Sequence, residues 1–189
     1  MSYNRSMKKR KLRCHHCHHL NEVLTYQEVS VDFEPLRDGS LYRHDCEACH
    51  TANFFDYPLV VTYADGSIGY KTENQDVTRL VDNQNDLIEK ANIFYYHLDD
   101  RVIELMKLLL IQRLFKDEVQ PIVHFTQTDH QFIEFRIVID NKYNLMNQPI
   151  DAYTTIKDKY EEFFEPNQKV IDQAWAHGIQ QAQNAREKH

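Results

Sequence analysis

From Glu22 to Phe33 apolar and polar residues alternate, most strictly at Val29, Val31 and Phe33, and a period of two predicts a strand. Glu34-Pro35 breaks it, Arg37-Asp38-Gly39-Ser40 reads as a turn, and Leu41 to Asp45 reads as a returning strand. Ala52 to Tyr63 is again strand-like, with Phe54, Phe55, Tyr57, Val60 and Val61; Ala64-Asp65-Gly66-Ser67 predicts a hairpin turn and Ile68 to Thr72 the strand that leaves it. The period then lengthens. Thr78 to Tyr96 places Leu80, Leu87, Ile88, Ala91 and Phe94 partly at helical spacing, and His97-Leu98 interrupts it. Asp99 or Asp100 suits an N-cap for a helix from Arg101 to Phe115, whose stripe of Val102, Leu105, Met106, Leu109 and Leu110 should face a core. Pro121 to Phe125 and Phe132 to Ile139 predict an antiparallel pair around Thr126 to His130. Pro149 to Phe164, with Tyr153, Ile156, Tyr160 and Phe163, and Asn167 to Gln183, with Val170, Ala174, Trp175 and Ile179, predict two further helices. No internal repeat emerges from this pattern.

At 189 residues and 42% apolar the chain can build a genuine core, and four glycines and five prolines exclude flexible-linker, collagen-like and low-complexity classes. The longest apolar runs, Leu108 to Ile111 and Pro58 to Val61, are far too short to span a bilayer. No apolar segment follows the basic residues 1–13, so no secretory signal is expected. GxGxxG, GxxxxGK[ST] and GxSxG are all missing, which removes the usual support for nucleotide-binding and α/β-hydrolase readings.

The charge is uneven. Residues 1–20 carry Arg5, Lys8, Lys9, Arg10, Lys11 and Arg13 and no acid, so a net charge of −7 leaves −13 on the remainder. An acidic body argues against wrapping a nucleic-acid duplex, while the basic arm retains the chemistry to touch phosphate.

All four cysteines fall in the first 49 residues, as Cys14-His15-His16-Cys17 and Cys46-Glu47-Ala48-Cys49. Two CxxC knuckles flanking a strand-forming insert have the form of a zinc ribbon, because each turn presents two thiolates to one cation and two turns close a tetrahedral shell. Zinc is the expected ion; iron has the same ligand set. Both knuckles also read as CxxCH through His18 and His50, the form of c-type haem attachment, which would require export. Disulfides and a thioredoxin-like redox pair are disfavoured, the first by the cytosolic context and the second because polar, strand-forming sequence follows each pair. Six of the eleven histidines, His15, His16, His18, His19, His44 and His50, lie in this stretch. A second metal site is the sharper reading of them. The plainer one is that an exposed knuckle tolerates His, particularly after its second Cys, where a positive φ is often needed and Gly is usual.

Catalytic chemistry has little support. Asp100 and Glu104 share a helix face near Arg101, but acids in a first helical turn and the Arg101, Glu104 and Lys107 charges are expected to form ordinary surface pairs. His97, His124 and His130 have no partner spacing, and Glu161 and Glu162 look like a solvated face. Phe54, Phe55, Tyr57, Tyr63 and Tyr70 offer stacking surfaces for single-stranded bases; filling a seam behind the ribbon is the stronger expectation.

Leu12-Arg13-Cys14-His15-His16-Cys17, Ser30-Val31-Asp32-Phe33-Glu34-Pro35, Asp38-Gly39-Ser40-Leu41-Tyr42, Cys46-Glu47-Ala48-Cys49 and Asp56-Tyr57-Pro58-Leu59 together resemble the CpXC domain, a family of small bacterial and archaeal proteins. Leu98-Asp99-Asp100-Arg101-Val102-Ile103-Glu104-Leu105-Met106-Lys107 is the most telling segment outside the knuckles. The resemblance runs from Lys11 to about Asn184. His15 and Glu47 stand at the Pro position of the family's knuckle, and His18 and His50 at its Gly position. The resemblance implies an intracellular protein with a metal-binding ribbon and a second α/β part, and no particular reaction.

The expected fold is α+β: a basic tail over 1–10, a four-cysteine zinc-ribbon module of antiparallel strands over 11–73, and a mixed domain of helices and a small sheet over 74–189. The expected function is non-enzymatic: a zinc-stabilised binding or adaptor protein with Cys14, Cys17, Cys46 and Cys49 as ligands to a structural zinc, acting on a protein partner or by self-association, cytoplasmic and away from membranes. The alternative is nucleic-acid binding through Lys8, Lys9, Arg10, Lys11 and Arg13 with the ribbon aromatics.

Overall fold

A computed structural model describes residues 7–74, 76–115, 121–129 and 131–188, and divides the chain into two compact units, Met1–Ala91 and Asn92–His189. The molecule is a mixture of helices and strands with a four-cysteine cluster near its N-terminus. Among the described residues no helix is long and apolar enough to cross a membrane.

In the first unit β1 (Met7–Arg13) and β2 (Leu20–Tyr26) form an antiparallel hairpin in continuous register, from Met7 opposite Tyr26 to Arg13 opposite Leu20. The expected basic tail therefore stops short: Met7 to Arg10 are strand, because the strand-forming Leu20, Val23, Leu24 and Tyr26 give them a partner. Runs of Lys and Arg on an edge strand look like a solvated tail in sequence, since their role is partly to keep that edge from pairing further. Arg5 lies outside the described residues.

The chain continues through β3 (Glu28–Ser30) to a single helical turn, α1 (Glu34–Arg37), with Pro35 in its first turn. Gly39 follows at φ 78°, a left-handed conformation open to glycine, and its N–H bonds to the Leu36 carbonyl at 3.2 Å. A 3₁₀ turn over Ser40–Tyr42 leads into β4 (Arg43–Asp45), which pairs with β5 (Ala52–Phe54). This departs from the expected returning strand over Leu41 to Asp45. Leu41 to Asp45 does not return along the strand that precedes Glu34; each knuckle instead caps a hairpin of its own. The Glu34 to Tyr42 segment folds into short helical turns because Pro35 and Gly39 bend it locally before a strand can form.

The rest of the unit is a four-stranded mixed sheet of β3, β6 (Leu59–Tyr63), β7 (Gly66–Tyr70) and β8 (Arg79–Val81), in the order β3-β6-β7-β8. The β6–β7 hairpin is antiparallel as its turn residues predict, whereas β3–β6 and β7–β8 are parallel. Val29, Leu59, Val61, Ile68, Tyr70 and Val81 are buried on it. The stretch from Thr78 thus begins as strand and becomes helix only at α2 (Gln84–Tyr95). Three residues were enough for a parallel pairing that leaves no period in sequence.

In the second unit His97, at φ 57°, ends the helical segment before it; Leu98 N–H reaches the Ile93 carbonyl at 3.0 Å, the bond of a Schellman motif. α3 (Asp100–Leu114) opens on Asp99, whose carboxylate accepts from the Arg101 N–H at 3.0 Å and from the Arg101 guanidinium at 2.9 and 2.7 Å. One side of α3 packs through Ile103, Met106 and Leu110 on a sheet of β9 (Ile122–Thr128), β10 (Phe132–Ile139) and β11 (Lys142–Pro149), joining Val123, Phe125, Ile133, Phe135 and Ile137. Its other side, Leu105 and Leu108, packs with Tyr160 of α4 (Ile150–Tyr160) and Ala176 of α5 (Gln173–Arg186). The expected single stripe is therefore two. Leu105 faces helices rather than the sheet, Leu109 is only half-buried, and Glu104 and Lys107 are buried, not surface, residues. Lys107 Nζ lies 3.0 Å from Glu104 Oε1, and the Gln173 side chain donates to Glu104 Oε2 at 2.9 Å.

β11 has no counterpart in the sequence expectations. Its residues are mostly polar and exposed, so no alternation marks it. Asp140-Asn141, at φ 47° and 61°, supplies the two-residue hairpin turn that joins it to β10. His130, the end of the expected loop, lies outside the described residues.

Candidate metal centre

Each knuckle sits where its hairpin turns, between Arg13 and Leu20 in one and between Asp45 and Ala52 in the other. The turns are built alike. Cys14 N–H bonds to the His19 carbonyl at 2.8 Å, and Cys46 N–H to the Thr51 carbonyl at 3.0 Å. His18 N–H returns to the Cys14 carbonyl at 3.1 Å, and His50 N–H to the Cys46 carbonyl at 2.9 Å. His18 and His50 take φ 61° and 57°, so both histidines occupy the left-handed position at which glycine is usual.

The two turns bring all four sulfurs within 4.8 Å of one another. Cys14 Sγ is 3.7 Å from Cys49 Sγ, and Cys17 Sγ is 3.6 Å from Cys46 Sγ. These separations far exceed the roughly 2.05 Å of a disulfide. They match the edge of about 3.8 Å that a tetrahedron of 2.3 Å metal–sulfur bonds requires. The donor set fits a soft or borderline cation, and the cluster can hold one metal ion. Cys14 and Cys46 are buried, Cys49 is half-buried and Cys17 is exposed, so the centre has an inner and an outer side.

The proton affinities of the thiols show what four clustered sulfurs require. The Thr51 side chain, whose hydroxyl oxygen lies 3.4 Å from the sulfur, and the Thr51 N–H bring Cys49 down to about 5. Cys14 is lowered by the Cys17 and His16 N–H groups and the Asn53 amide. Cys17 gains from the His19 N–H, yet the Cys49 sulfur, burial and the Cys46 and Cys14 sulfurs together push it up to about 12. Adjacent thiolates repel, so the Cys17 sulfur holds its proton more tightly than a free thiol unless a cation joins the group.

Two asparagines tie the knuckles together. Asn21, fully buried, accepts the Glu47 N–H at 3.0 Å and donates toward the His19 carbonyl at 3.3 Å. Asn53, at 3% exposure, accepts the His15 N–H at 2.9 Å and donates to the Thr51 carbonyl at 2.8 Å. Each therefore lies behind one knuckle and holds the first turn N–H of the other. The signal was present in sequence: both knuckles read C-x-x-C-H-x-x-N, an eight-residue repeat that the hydrophobic pattern alone does not reveal. A proline at His15 or Glu47 would remove the N–H that the opposite asparagine accepts.

Lys8, Lys9, Arg10, Lys11 and Arg13 all lie on β1. Lys9 pairs with Glu22 at 2.7 Å, Arg10 donates to the Thr25 hydroxyl at 3.1 Å, and Arg13 donates to the His18 carbonyl at 3.1 Å, bracing the first knuckle. Lys8 and Lys11 are exposed. Of the aromatic residues, Phe55, Tyr57 and Tyr70 are buried, Tyr63 is half-buried, and Phe54 is 64% exposed. The buried Tyr42 and Tyr57 rings meet at 5.0 Å.

Compared with family models, with curated proteins and with solved structures, the chain matches none. Fold and site together define a mixed α+β protein whose four cysteines converge on a single point that can hold a metal ion.

Proposed function

We propose that Cys14, Cys17, Cys46 and Cys49 hold one zinc ion whose role is structural, and that the protein is a zinc-stabilised binding or adaptor module akin to the CpXC domain. The observation that carries this reading is the closure of the cluster. Four protein sulfurs surround one point, so a tetrahedral ion there has no position left for substrate or water. Zinc suits a site that needs charge and geometry without redox change. Metal analysis of the purified chain should find one zinc per molecule, with no visible charge-transfer absorption of an iron–sulfur centre. Cys46→Ser should release the ion, whereas His18→Asn should keep it, because asparagine tolerates the left-handed backbone there. A chain that refolds with zinc in excess yet retains none would sink the reading.

A second reading has a specific observation behind it: five cations on an ordered strand, in the same unit as the exposed Phe54. Nucleic-acid binding of this kind should be sequence-independent and weak, since Glu22 already neutralises Lys9. Oligonucleotide titration at several salt concentrations separates the readings. Affinity that persists at physiological salt and falls on Phe54→Ala would favour the second.

A further inference from the structure

The two knuckles repeat one backbone turn, yet their outer sulfurs stand in different surroundings. Cys17 and Cys49 are equivalent positions, each three residues after a buried cysteine and four before a buried asparagine. Two residues beyond Cys49 stands Thr51, whose hydroxyl oxygen lies 3.4 Å from the sulfur and covers one side of it. Two residues beyond Cys17 stands His19, which has no hydroxyl and is itself exposed. Residues 15 to 20 are exposed without a break and Cys17 lies among them, whereas Cys49 is half-buried. The cluster therefore meets solvent chiefly through one sulfur.

The nearest neighbour of that sulfur belongs to the other knuckle. Cys17 Sγ is 3.6 Å from the buried Cys46 Sγ. Bringing the two to the roughly 2.05 Å of a disulfide takes about 1.5 Å of movement, which side-chain rotation can supply. The second short pair, Cys14 and Cys49 at 3.7 Å, has only a half-buried sulfur as its outer member.

We propose that Cys17 and Cys46 are an oxidisable pair, a modification site for hydroperoxides whose reaction releases the ion. The proposal rests on the structural-zinc reading, because a cysteine bound to the ion is in the nucleophilic thiolate form. The Cys17 thiolate attacks one oxygen of the peroxide. An S–O bond forms, the O–O bond breaks, and the departing oxygen leaves as an alcohol, or as water from hydrogen peroxide, after taking a proton from solvent. Cys17 is then a sulfenic acid. The Cys46 thiolate attacks the Cys17 sulfur, an S–S bond forms, and the S–O bond breaks to release hydroxide, which a second solvent proton turns into water. Two sulfurs have lost two electrons and the peroxide has gained them. Cys14 and Cys49 remain as thiolates, and two sulfurs leave a tetrahedral ion open to water and to competing ligands. The new bond spans the β1–β2 and β4–β5 hairpins, the same two that the ion joins. Oxidation thus exchanges a metal link for a covalent one.

The test treats the full-length, zinc-loaded chain with hydrogen peroxide, and zinc content is measured before and after. Zinc should pass to a chromogenic chelator as peroxide is consumed, and a non-reducing peptide map should join Cys17 to Cys46. Dithiothreitol should restore both thiols and zinc uptake. With a maleimide in limiting amount, Cys17 should be labelled at least about tenfold faster than Cys14 or Cys46. No ligand is mutated, so the folding of a variant does not enter. A bridge within one knuckle or between Cys14 and Cys49 would overturn the proposal, and so would first labelling at Cys49. A chain that binds zinc and keeps it under peroxide overturns this proposal alone. A chain that takes up no zinc sinks the structural-zinc reading and this proposal with it.

Discussion

The second unit and the two knuckle hairpins of the first are held together by different means. In Asn92–His189 a central helix is buried on two sides, by a sheet against Ile103, Met106 and Leu110 and by helices against Leu105 and Leu108. In Met1–Ala91 the β1–β2 and β4–β5 hairpins are two-stranded, and Met7, Leu20, Leu24 and Phe54 on them remain exposed. Isolated two-stranded hairpins are marginal in water, so what joins these two must come from elsewhere. It comes from four sulfurs, two asparagines and the ion they can hold. Burial of apolar surface and closure of a polar knot of sulfurs and amides are thus different ways to join segments, and they fail under different perturbations.

The sharpest way to separate them is to remove the proposed metal ion. Chelation should loosen the 7–26 and 43–54 hairpins while amides of α3 and β10 keep their exchange protection. Structural zinc in small domains supplies roughly 10 kcal/mol or more of apparent folding free energy, so the effect should be the largest obtainable. Loss of protection spread evenly over both units would break the comparison.

Charge inside the packed unit comes next. Glu104→Ala removes the carboxylate 3.0 Å from the buried Lys107 ammonium, and removing one member of such a pair costs about 3–5 kcal/mol. Urea denaturation followed by a probe in the second unit reads this, and metal content should not change. Leu105→Ala, at a site 1% exposed, should cost about 2–5 kcal/mol in the same unit through cavity formation.

The asparagine bridges offer a smaller and more diagnostic effect. Asn53→Ala leaves the His15 N–H without its acceptor, at a cost of about 1–3 kcal/mol, and should speed metal release to a chelator while leaving Leu105→Ala destabilisation unaltered. Glu47→Pro should act likewise through Asn21.

The smallest effect concerns Asp56, whose carboxylate is contacted by the Lys71 ammonium, the Tyr70 hydroxyl and the Gln84 amide. Burial opposes ionisation, but Lys71 and Tyr70 prevail and hold Asp56 below its ordinary value. A lowered folded value means that the stabilisation is complete above the unfolded value near 3.9 and is lost as pH falls through the folded one. The side chain is half exposed, so solvent screens the pairing. The stability gap between the parent and Asp56→Asn, measured with metal in excess, should narrow as pH falls and not as it rises.

The legible parts of this protein are those whose physics is local. CxxC spacing puts two thiols on one turn whatever surrounds it, so the convergence of Cys14, Cys17, Cys46 and Cys49 could be expected from the two motifs alone. Asp99 capping a run of helix formers is equally local and formed; the turn expected over Ala64-Asp65-Gly66-Ser67 formed at Ala64-Asp65, with Gly66 and Ser67 already in the returning strand. The basic strand and β11 were not legible, because Lys-rich and Asn-rich edge strands bury no alternating face; pairing with a neighbour makes them strands.

By itself, then, the sequence determined the pairing of four cysteines in two like knuckles, the α+β class and the main helix, through spacing, capping and period. Only the tertiary structure decided that each knuckle has its own hairpin, that Asn21 and Asn53 exchange between them, and that Glu104 and Lys107 lie inside. Those outcomes depend on which segments meet across tens of residues. The free energy of such meetings belongs to the pair, and no single stretch of chain carries it.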